Sequence, residues 1–436
     1  MVISAERAAP PSDGKHASTQ PRRAWAPLAD AATSLDGWRL ALALLVFLEV
    51  TLALVGLGAH VVGGREPFVG SWDNLVIKGG GLLGQILSGW QRWDALWYQH
   101  IAESGYQPNS GSLAFYPLYP LLSRALSFVM LGNVVVAELV LSGGAFVGAM
   151  WLLWHVVAHE RRDAAMSDQQ VGRPASEITS MPRLTVLVAA FFPTAFFFLG
   201  PFTESLFLLL VLASLWCSRM GRPWLAGLLG FLAALTRAQG VFLVLPLAYE
   251  HLRQRRSFGW LFGHGGQRPT TALLASAMPA MGLVVFSLYE SIALHDPSVL
   301  LGTQSPWGYQ LVTPWRAIDA SLRYIDTVTN SNAAYVEVLN LGSLIAFTAL
   351  AVVAVRRLPV AYSLYALQSV GVLLFREMWM SPLMSVSRFA LAIFPCFWII
   401  ASWLAPRPKL AAAWLVVSLI MQFALFQYFT RWGFVA

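Results

Sequence analysis

Long apolar runs separated by short polar stretches make up most of this chain of 436 residues. A helix that crosses a bilayer needs roughly 20 mostly apolar residues, because each residue adds about 1.5 Å. The first run, residues 39–60, meets that requirement. Further runs follow at 133–157, 184–201, 204–219, 270–291, 335–355, 360–376, 386–404 and 410–428. The pattern predicts an all-α membrane protein that crosses the bilayer many times.

Two shorter runs, 223–236 and 238–250, are divided by the segment Thr236-Arg237-Ala238-Gln239-Gly240. Each run is short for a helix that crosses the bilayer. We therefore expect a broken pair in which one helix runs outward, the other runs back, and Arg237 lies where they meet. Irregular backbone at that depth is tolerated only inside protein or beside a water-filled cavity. Counting the pair as two passes, the pattern predicts about eleven transmembrane helices.

Basic residues assign a side to each loop, because short cytoplasmic loops carry an excess of Lys and Arg. Residues 1–37 are rich in Ala, Pro and Ser and carry several basic residues, which is typical of a disordered cytoplasmic tail. The remainder, 38–436, is then a single transmembrane domain. Residues 114–131 hold two prolines and Arg124, and the alternation of sides leaves them on the outer surface. The first outer loop is therefore predicted to span 62–131.

Composition agrees with this organisation and narrows the function. Hydrophobic residues are 57% of the chain and charged residues 12%, whereas a soluble domain carries about 25% charge. The net charge of +7 comes with basic residues in short loops, so we expect a membrane protein without a nucleic-acid partner. Cys217 and Cys396 lie inside apolar runs and indicate neither a disulfide framework nor a zinc site.

Four ionisable residues fall on the outer side of this map, within or beside apolar runs: Asp94, Glu204, Arg237 and Arg388. Charged groups at such positions are costly and usually face a cavity or a partner. We therefore expect them to meet in a polar pocket. Each also has a structural interpretation. Asp94 is then a solvated surface carboxylate and Glu204 a helix-dipole partner, while Arg237 binds a helix C-terminus and Arg388 extends to the interface.

Asp94 lies in a segment rich in tryptophan. At helical spacing, an apolar stripe is formed by Ile86, Trp90, Trp93, Trp97 and Ile101. The stripe predicts an amphipathic helix resting on the outer leaflet, with Asp94 between its apolar and polar faces. In contrast, the pair His155 and His159 lacks a third ligand, so no metal site is predicted and no cofactor is expected.

The same residues carry a family resemblance. Arg92-Trp93-Asp94-Ala95, together with Ile101–Tyr106 and Ala114–Arg124, resembles the signature of the PIG-V mannosyltransferases. Phe192–Leu206, which contains Glu204, and Thr236–Gly240 resemble further family segments, although Ala238 and Gln239 depart from the usual pair. A loop motif at Gln304–Trp307 and the segment Ser387–Pro395 complete a similarity that runs from about residue 90 to residue 400.

This resemblance implies a glycosyltransferase of the GT-C class, which uses a polyprenyl-phosphate sugar on the non-cytoplasmic face. It implies inverting transfer of mannose to a membrane-near hydroxyl of a lipid or glycolipid, with Asp94 as the general base. Substrate contacts are then expected from Arg92, Trp93, Trp97, Arg124, Glu204, Arg237 and Arg388. We expect a bacterial plasma membrane with the active site outside, or the endoplasmic reticulum in a eukaryote. A different lipid-linked sugar and a lipid or solute transporter remain alternatives.

Overall fold

A computed structural model describes residues 31–63, 75–77, 79, 81–108, 110–167, 175–257, 270–295 and 308–435. The first thirty residues of the predicted tail and the loop motif Gln304–Trp307 lie outside these residues. The first helix begins at Ala31. The helix therefore starts before the apolar run does, and the tail boundary at residue 37 stays a prediction.

Sixteen α-helices occupy most of the described residues. They are α1 Ala31–Gly63, α2 Gly81–Trp90, α3 Asp94–Ser104, α4 Leu118–Ser127, α5 Val134–Ser167, α6 Ala175–Ala190, α7 Glu204–Arg219, α8 Pro223–Ala234, α9 Val244–Gln254, α10 Met278–Ala293, α11 Pro314–Thr327, α12 Ser331–Arg357, α13 Val360–Leu374, α14 Val386–Phe389, α15 Phe394–Leu404 and α16 Pro408–Thr430. Short 3₁₀ helices lie at Gly111–Ala114, Ala195–Phe198, Ala238–Leu243, Thr271–Ala277 and Ala390–Ala392.

One small sheet interrupts the helical architecture. Strand β1, Tyr309–Leu311, pairs antiparallel with β2, Arg376–Met378, and Gln310 lies opposite Glu377. In the described part of the chain the predicted all-helical class is thus confirmed, with one two-stranded ribbon added.

Five helices of the described residues are long and apolar enough to cross a membrane: Leu35–Ala59, Val134–Asp163, Thr271–Ala293, Ser331–Arg357 and Pro408–Thr430. A sixth crossing is formed if the bent pair Val386–Ala392 and Phe394–Leu404 counts as one. The protein is thus an integral membrane protein, whereas the predicted number of eleven passes is not confirmed. The pair bends by 84°, so the apolar run predicted over 386–404 is divided into two helices.

Helix α7 lies at the centre of the bundle. Leu208, Val211 and Leu212 are all 0% exposed, and the helix packs between α5 and α8. Small residues let other helices of the bundle approach each other closely as well, which is common where helices pack in a membrane. A Cβ atom at Gly230 would lie 2.6 Å from Pro279 Cγ, so α8 reaches α10 only because that position lacks a side chain.

Each end of α7 carries a buried ionic cluster. At its last residue, Arg219 donates to both carboxylate oxygens of Glu160 at 2.7 Å. Tyr362 donates to Glu160 at 3.0 Å, Arg219 Nη1 donates to Glu250 at 3.4 Å, and Arg253 donates to Glu250 at 2.5 and 3.0 Å. These bonds connect α5, α7, α9 and α13, and because the carboxylates are bound by protein cations, the cluster stabilises the helix ends. The other cluster, at Glu204, is described below.

The predicted break at Arg237 is confirmed. Helix α8 ends at Ala234, and the chain turns through a 3₁₀ helix before α9 begins at Val244. Gly240 makes the turn possible, since a Cβ atom there would lie 2.3 Å from the backbone nitrogen of Ala234. The first turn of α4 is attached at the same place, because Leu118 N–H donates to Leu235 O at 2.9 Å.

The single amphipathic helix predicted through the tryptophan-rich segment is wrong. The chain forms two helices, α2 and α3, separated by a turn in which Trp93 has a φ of 55°. The turn brings Arg92 to the C-terminus of α16, where its Nε and Nη2 donate to Thr430 O at 3.0 and 2.7 Å. Because a guanidinium satisfies carbonyls at a helix C-terminus, this contact stabilises the interrupted geometry.

Candidate active site

The four ionisable residues expected to converge do so at one end of α7. Arg388 Nη1 donates to Asp94 Oδ2 at 2.6 Å, and Arg388 Nε donates to Glu204 Oε1 at 2.6 Å. Arg237 Nη1 donates to the same oxygen of Glu204. The charges therefore alternate along a chain in the order Asp94, Arg388, Glu204, Arg237, which we call the charge chain. The predicted convergence is confirmed, whereas the roles assigned to these residues stay predictions.

Burial differs along the charge chain. The side chains of Glu204 and Arg388 are 1% and 4% exposed, whereas that of Asp94 is 28% exposed. A buried guanidinium is tolerated because two carboxylates neutralise it and accept its hydrogen bonds. The structural interpretation that Arg388 extends to the interface is therefore wrong. The ends of the charge chain are the partly exposed Asp94 carboxylate and the buried Arg237 guanidinium.

Aromatic rings enclose both guanidinium groups. The Arg388 guanidinium carbon lies 4.9 and 4.8 Å from the ring centres of Phe197 and Phe202. That of Arg237 lies 4.6 Å from Phe389. Ring faces attract cations electrostatically at these distances and exclude water. These phenylalanines were not predicted as site residues, because in the sequence they are indistinguishable from membrane-facing residues.

Glu204 is placed by a tight turn that precedes α7. It is the first residue of the helix, where the aligned peptide dipoles also favour a negative charge. Ser205 donates to Phe198 O at 2.5 Å and closes the turn. At Gly200, a Cβ atom would lie 2.9 Å from Trp90 and from Phe202. The turn thus packs directly against α2, and the helix-dipole interpretation of Glu204 holds alongside its ion pairs.

Arg388 lies on α14, and the backbone there is fixed from two sides. Asn340 Oδ1 accepts hydrogen bonds from the backbone N–H and the hydroxyl of Ser387, at 3.0 and 2.7 Å. Thr194 donates to Ser387 O at 2.9 Å. All three residues are buried. The helix is only one turn long, so these bonds position Arg388 between the two carboxylates.

Asp94 is the first residue of α3. Oδ2 is bound by Arg388, and within the described part of the chain no group donates to Oδ1. Tyr98 lies one turn further along the same helix and packs at 5.1 Å from both Phe115 and Tyr119. Burial and the nearby Asp94 raise the pKa of the Tyr98 phenol, so it stays protonated. Tyr98 was not among the predicted site residues.

The other predicted substrate-binding residues lie elsewhere. The Arg92 guanidinium is bound to carbonyl groups, as described above, and Trp93 Nε1 donates to Gly433 O at 3.2 Å. Trp97 stacks on Phe115 at 5.6 Å. Arg124 is exposed, in the last turn of α4. The structure thus gives Arg92 and Trp93 a part in docking the first loop onto α16, and it does not bring Arg124 to the charge chain.

A small pocket with a cavity volume of about 10 Å³ lies beside Arg237. Most of its wall is apolar, from Phe207, Leu373, Phe389, Ala392 and Ile393. The polar lining residues are Arg237, Gln239, Tyr365 and Ser369. The positive end of the charge chain therefore faces an apolar cavity, while its negative end is the Asp94 carboxylate.

Among the described residues, no three side chains of His, Cys, Asp or Glu are grouped so that they could hold a metal ion. His155 Nδ1 instead lies 2.8 Å from Trp151 O, and His159 lies 3.5 Å from Asp163. Independence of a metal remains an expectation.

The described residues thus form a helical membrane protein with a partly exposed carboxylate, two arginines bound to carboxylates and an adjacent, mostly apolar pocket. Residues 80–288 match the family model described as Mannosyltransferase (PIG-V). This match covers a little under half of the chain and supports a membrane glycosyltransferase similar to the PIG-V mannosyltransferases, which belong to the GT-C class. A search of curated proteins found no match. The family match includes Asp94, Glu204 and Arg237, whereas Arg388 lies beyond it.

Proposed function

We propose that this mannosyltransferase transfers mannose from a polyprenyl-phosphate-mannose to a membrane-near hydroxyl, with inversion and with Asp94 as the general base. The match over residues 80–288 supports a membrane mannosyltransferase with a lipid-linked donor. The observation that supports the finer proposal is the charge chain, because it has a carboxylate at one end and a guanidinium beside an apolar pocket at the other.

Asp94 is suited to accept a proton. Arg388 binds Oδ2 at 2.6 Å and so orients the carboxylate, which leaves Oδ1 for the acceptor. As the acceptor oxygen bonds to C1 of mannose, the bond from C1 to the phosphate oxygen breaks. The hydroxyl proton passes to Asp94, and the polyprenyl phosphate leaves with the electron pair. General-base assistance of this kind contributes about 10²- to 10⁴-fold to a rate.

Arg237 is better suited than Arg388 to the leaving phosphate. Arg388 already serves two carboxylates and is almost fully buried. Arg237 serves one carboxylate, shares it with Arg388, and lines the pocket. A guanidinium stabilises negative charge that develops on phosphate oxygens. The proposal therefore assigns the phosphate to Arg237 and assigns the orientation of Asp94 to Arg388 and Glu204.

The separation of the two ends favours inversion. The Arg388 and Glu204 side chains lie between Asp94 and Arg237 in the charge chain. An acceptor at Asp94 and a phosphate at Arg237 would then approach C1 from different sides. Direct displacement needs this arrangement, whereas retention needs a protein nucleophile at the sugar carbon. We place this chemistry on the outer face of a bacterial plasma membrane, following the basic loops predicted for the cytoplasmic side.

A donor panel tests the proposal. Purified protein in lipid nanodiscs would be supplied with radiolabelled polyprenyl-phosphate-mannose, polyprenyl-phosphate-glucose, polyprenyl-phosphate-arabinose or GDP-mannose, together with a bacterial membrane extract as acceptor. We expect label in product from the lipid-linked mannose alone, with the opposite anomeric configuration to that of the donor. Transfer from a different lipid-linked sugar would contradict the donor assignment. Flux of a lipid across the bilayer without glycosyl product would instead indicate a transporter. The same assay in EDTA tests the expected independence of a divalent metal.

Substituting Arg237 by alanine is expected to raise the donor KM by about ten- to a hundredfold, since one charge-assisted hydrogen bond is lost. Arg237→Lys keeps the charge without the planar donor pair, so its loss should be smaller. KM would be measured for donor and for acceptor separately. Arg323→Ala, which removes a 77% exposed guanidinium, is the matched control. An unchanged donor KM in Arg237→Ala would remove Arg237 from the phosphate site.

A further inference from the structure

The pocket beside Arg237 contains one polar side chain without a partner in the described chain. Two of the other polar lining residues are already bonded: Ser369 donates to Tyr365 O at 2.8 Å, and Tyr365 donates to Ala392 O at 3.1 Å. Arg237 is bound to Glu204. The half-buried amide of Gln239 has no hydrogen bond to any described residue and lines the same wall.

Gln239 lies near Arg237 for a backbone reason. Both belong to the turn between α8 and α9, where Gly240 N–H donates to Arg237 O at 2.9 Å. This turn is pressed against the end of α8 at Gly240. A guanidinium and an amide are thus presented together by a short, tightly packed segment, which suits them to bind one group of a ligand.

We infer that Gln239 is a second hydrogen-bond donor to a lipid monophosphate, and that the apolar side chains lining the pocket contact the first part of its hydrocarbon chain. The inference rests on the proposed function, since it takes the donor to be lipid-linked. The amide N–H₂ donates to a phosphate oxygen while Arg237 neutralises the charge. The wall of phenylalanine, leucine and isoleucine buries an alkyl chain favourably but offers a sugar ring few hydrogen bonds.

The same lining predicts selectivity among lipid phosphates. One guanidinium and one amide match a single phosphoryl group. A diphosphate would bring a second charged group against apolar side chains, since the pocket lining holds one cation among the described residues. Burying an unpaired charge is costly, so the pocket should bind a polyprenyl monophosphate in preference to a polyprenyl diphosphate.

Ligand binding tests the inference without requiring any chemistry. The protein in nanodiscs would be titrated with polyprenyl monophosphate, polyprenyl diphosphate, polyprenol or inorganic phosphate, with the thermal unfolding midpoint as readout. Gln239→Leu is expected to weaken binding of the monophosphate about tenfold and to leave polyprenol binding unchanged. Gln239→Glu should weaken it further, because a carboxylate repels phosphate. Gln239→Asn keeps a shorter amide and should fall between the parent and Gln239→Leu.

The matched control is Gln368→Leu. Gln368 precedes Ser369 on α13, but its amide is already bound to Phe242 O and Leu364 O at 3.1 and 3.0 Å. This variant should bind the monophosphate like the parent. The inference is overturned if Gln239→Leu binds it unchanged, or if polyprenol binding weakens equally, since the effect would then concern packing rather than phosphate. A diphosphate bound as tightly as the monophosphate would overturn the selectivity.

Competition experiments distinguish whether the bound phosphate belongs to the sugar donor or to the acceptor. A monophosphate that competes with the donor supports the inference, whereas competition only with a phosphate-bearing acceptor overturns the assignment to the donor. If the proposed function is wrong, the two experiments give a different combination of results. In that case the donor panel yields no mannosylated product, although Gln239-dependent binding of the monophosphate is still measured. Product formation without any dependence of binding on Gln239 overturns this inference alone.

Discussion

Asp94→Asn is expected to reduce mannose transfer by about 10²- to 10⁴-fold, the contribution typical of a general base. The amide is nearly the same size and still accepts a hydrogen bond from Arg388, but it cannot take the acceptor proton. The fall should therefore appear in kcat, with little change in the donor KM. Initial rates of radiolabelled mannose transfer, normalised to folded protein, measure both parameters.

Glu103→Gln is the matched control for this substitution. Glu103 lies on the same helix, is exposed and accepts a hydrogen bond from Gln99 at 2.9 Å, so the change of chemistry is identical at a distance from the charge chain. It should leave kcat close to that of the parent. Full activity in Asp94→Asn at equal expression would end the assignment of Asp94 as the base.

Glu204→Leu is expected to have the largest effect on stability. Its carboxylate accepts hydrogen bonds from Arg388 and from Arg237, so removing it leaves two buried cations facing an apolar side chain. Removing one partner from a buried ion pair typically costs about 3–5 kcal/mol. We expect a clearly lower thermal unfolding midpoint and no detectable transfer, because Arg388 loses one of the two carboxylates that hold it.

Glu204→Gln refines this test. The amide oxygen still accepts hydrogen bonds, so this variant should be more stable than Glu204→Leu but less active than the parent. Asp319→Leu, which removes a carboxylate that is 57% exposed and paired with Arg323, is the surface control and should unfold like the parent. An unchanged unfolding midpoint in Glu204→Leu would mean that the charge chain contributes little to the fold.

The charge chain also explains why Arg388 belongs to the site although the family match ends at residue 288. The matched region supplies Asp94, Glu204 and Arg237. Without a cation between Asp94 and Glu204, these two carboxylates would not be connected. The segment after β2 supplies that cation, fixed by Asn340 and Thr194 through Ser387. The two parts of the chain are therefore coupled by electrostatics as well as by packing.

By itself, the sequence determined that this protein is helical and embedded in a membrane, because apolar length is dictated by bilayer thickness. It also indicated the ionisable residues that matter, since a charge within an apolar run is too costly to persist without a partner. The break at Arg237 could be predicted for the same reason. The family resemblance, carried by Arg92–Ala95 and the segments after it, added the reaction class.

Only the tertiary structure decided which partner each charge has. Asp94 and Arg388 are separated by 294 positions in the chain, and no local pattern specifies that contact. The sequence also did not predict the bend between α14 and α15, the interruption between α2 and α3 or the docking of Arg92 onto α16. Each of these depends on helix ends that meet only after folding. Local hydrophobicity indicates which segments lie in the lipid bilayer, whereas the charge chain depends on how buried segments pack against one another.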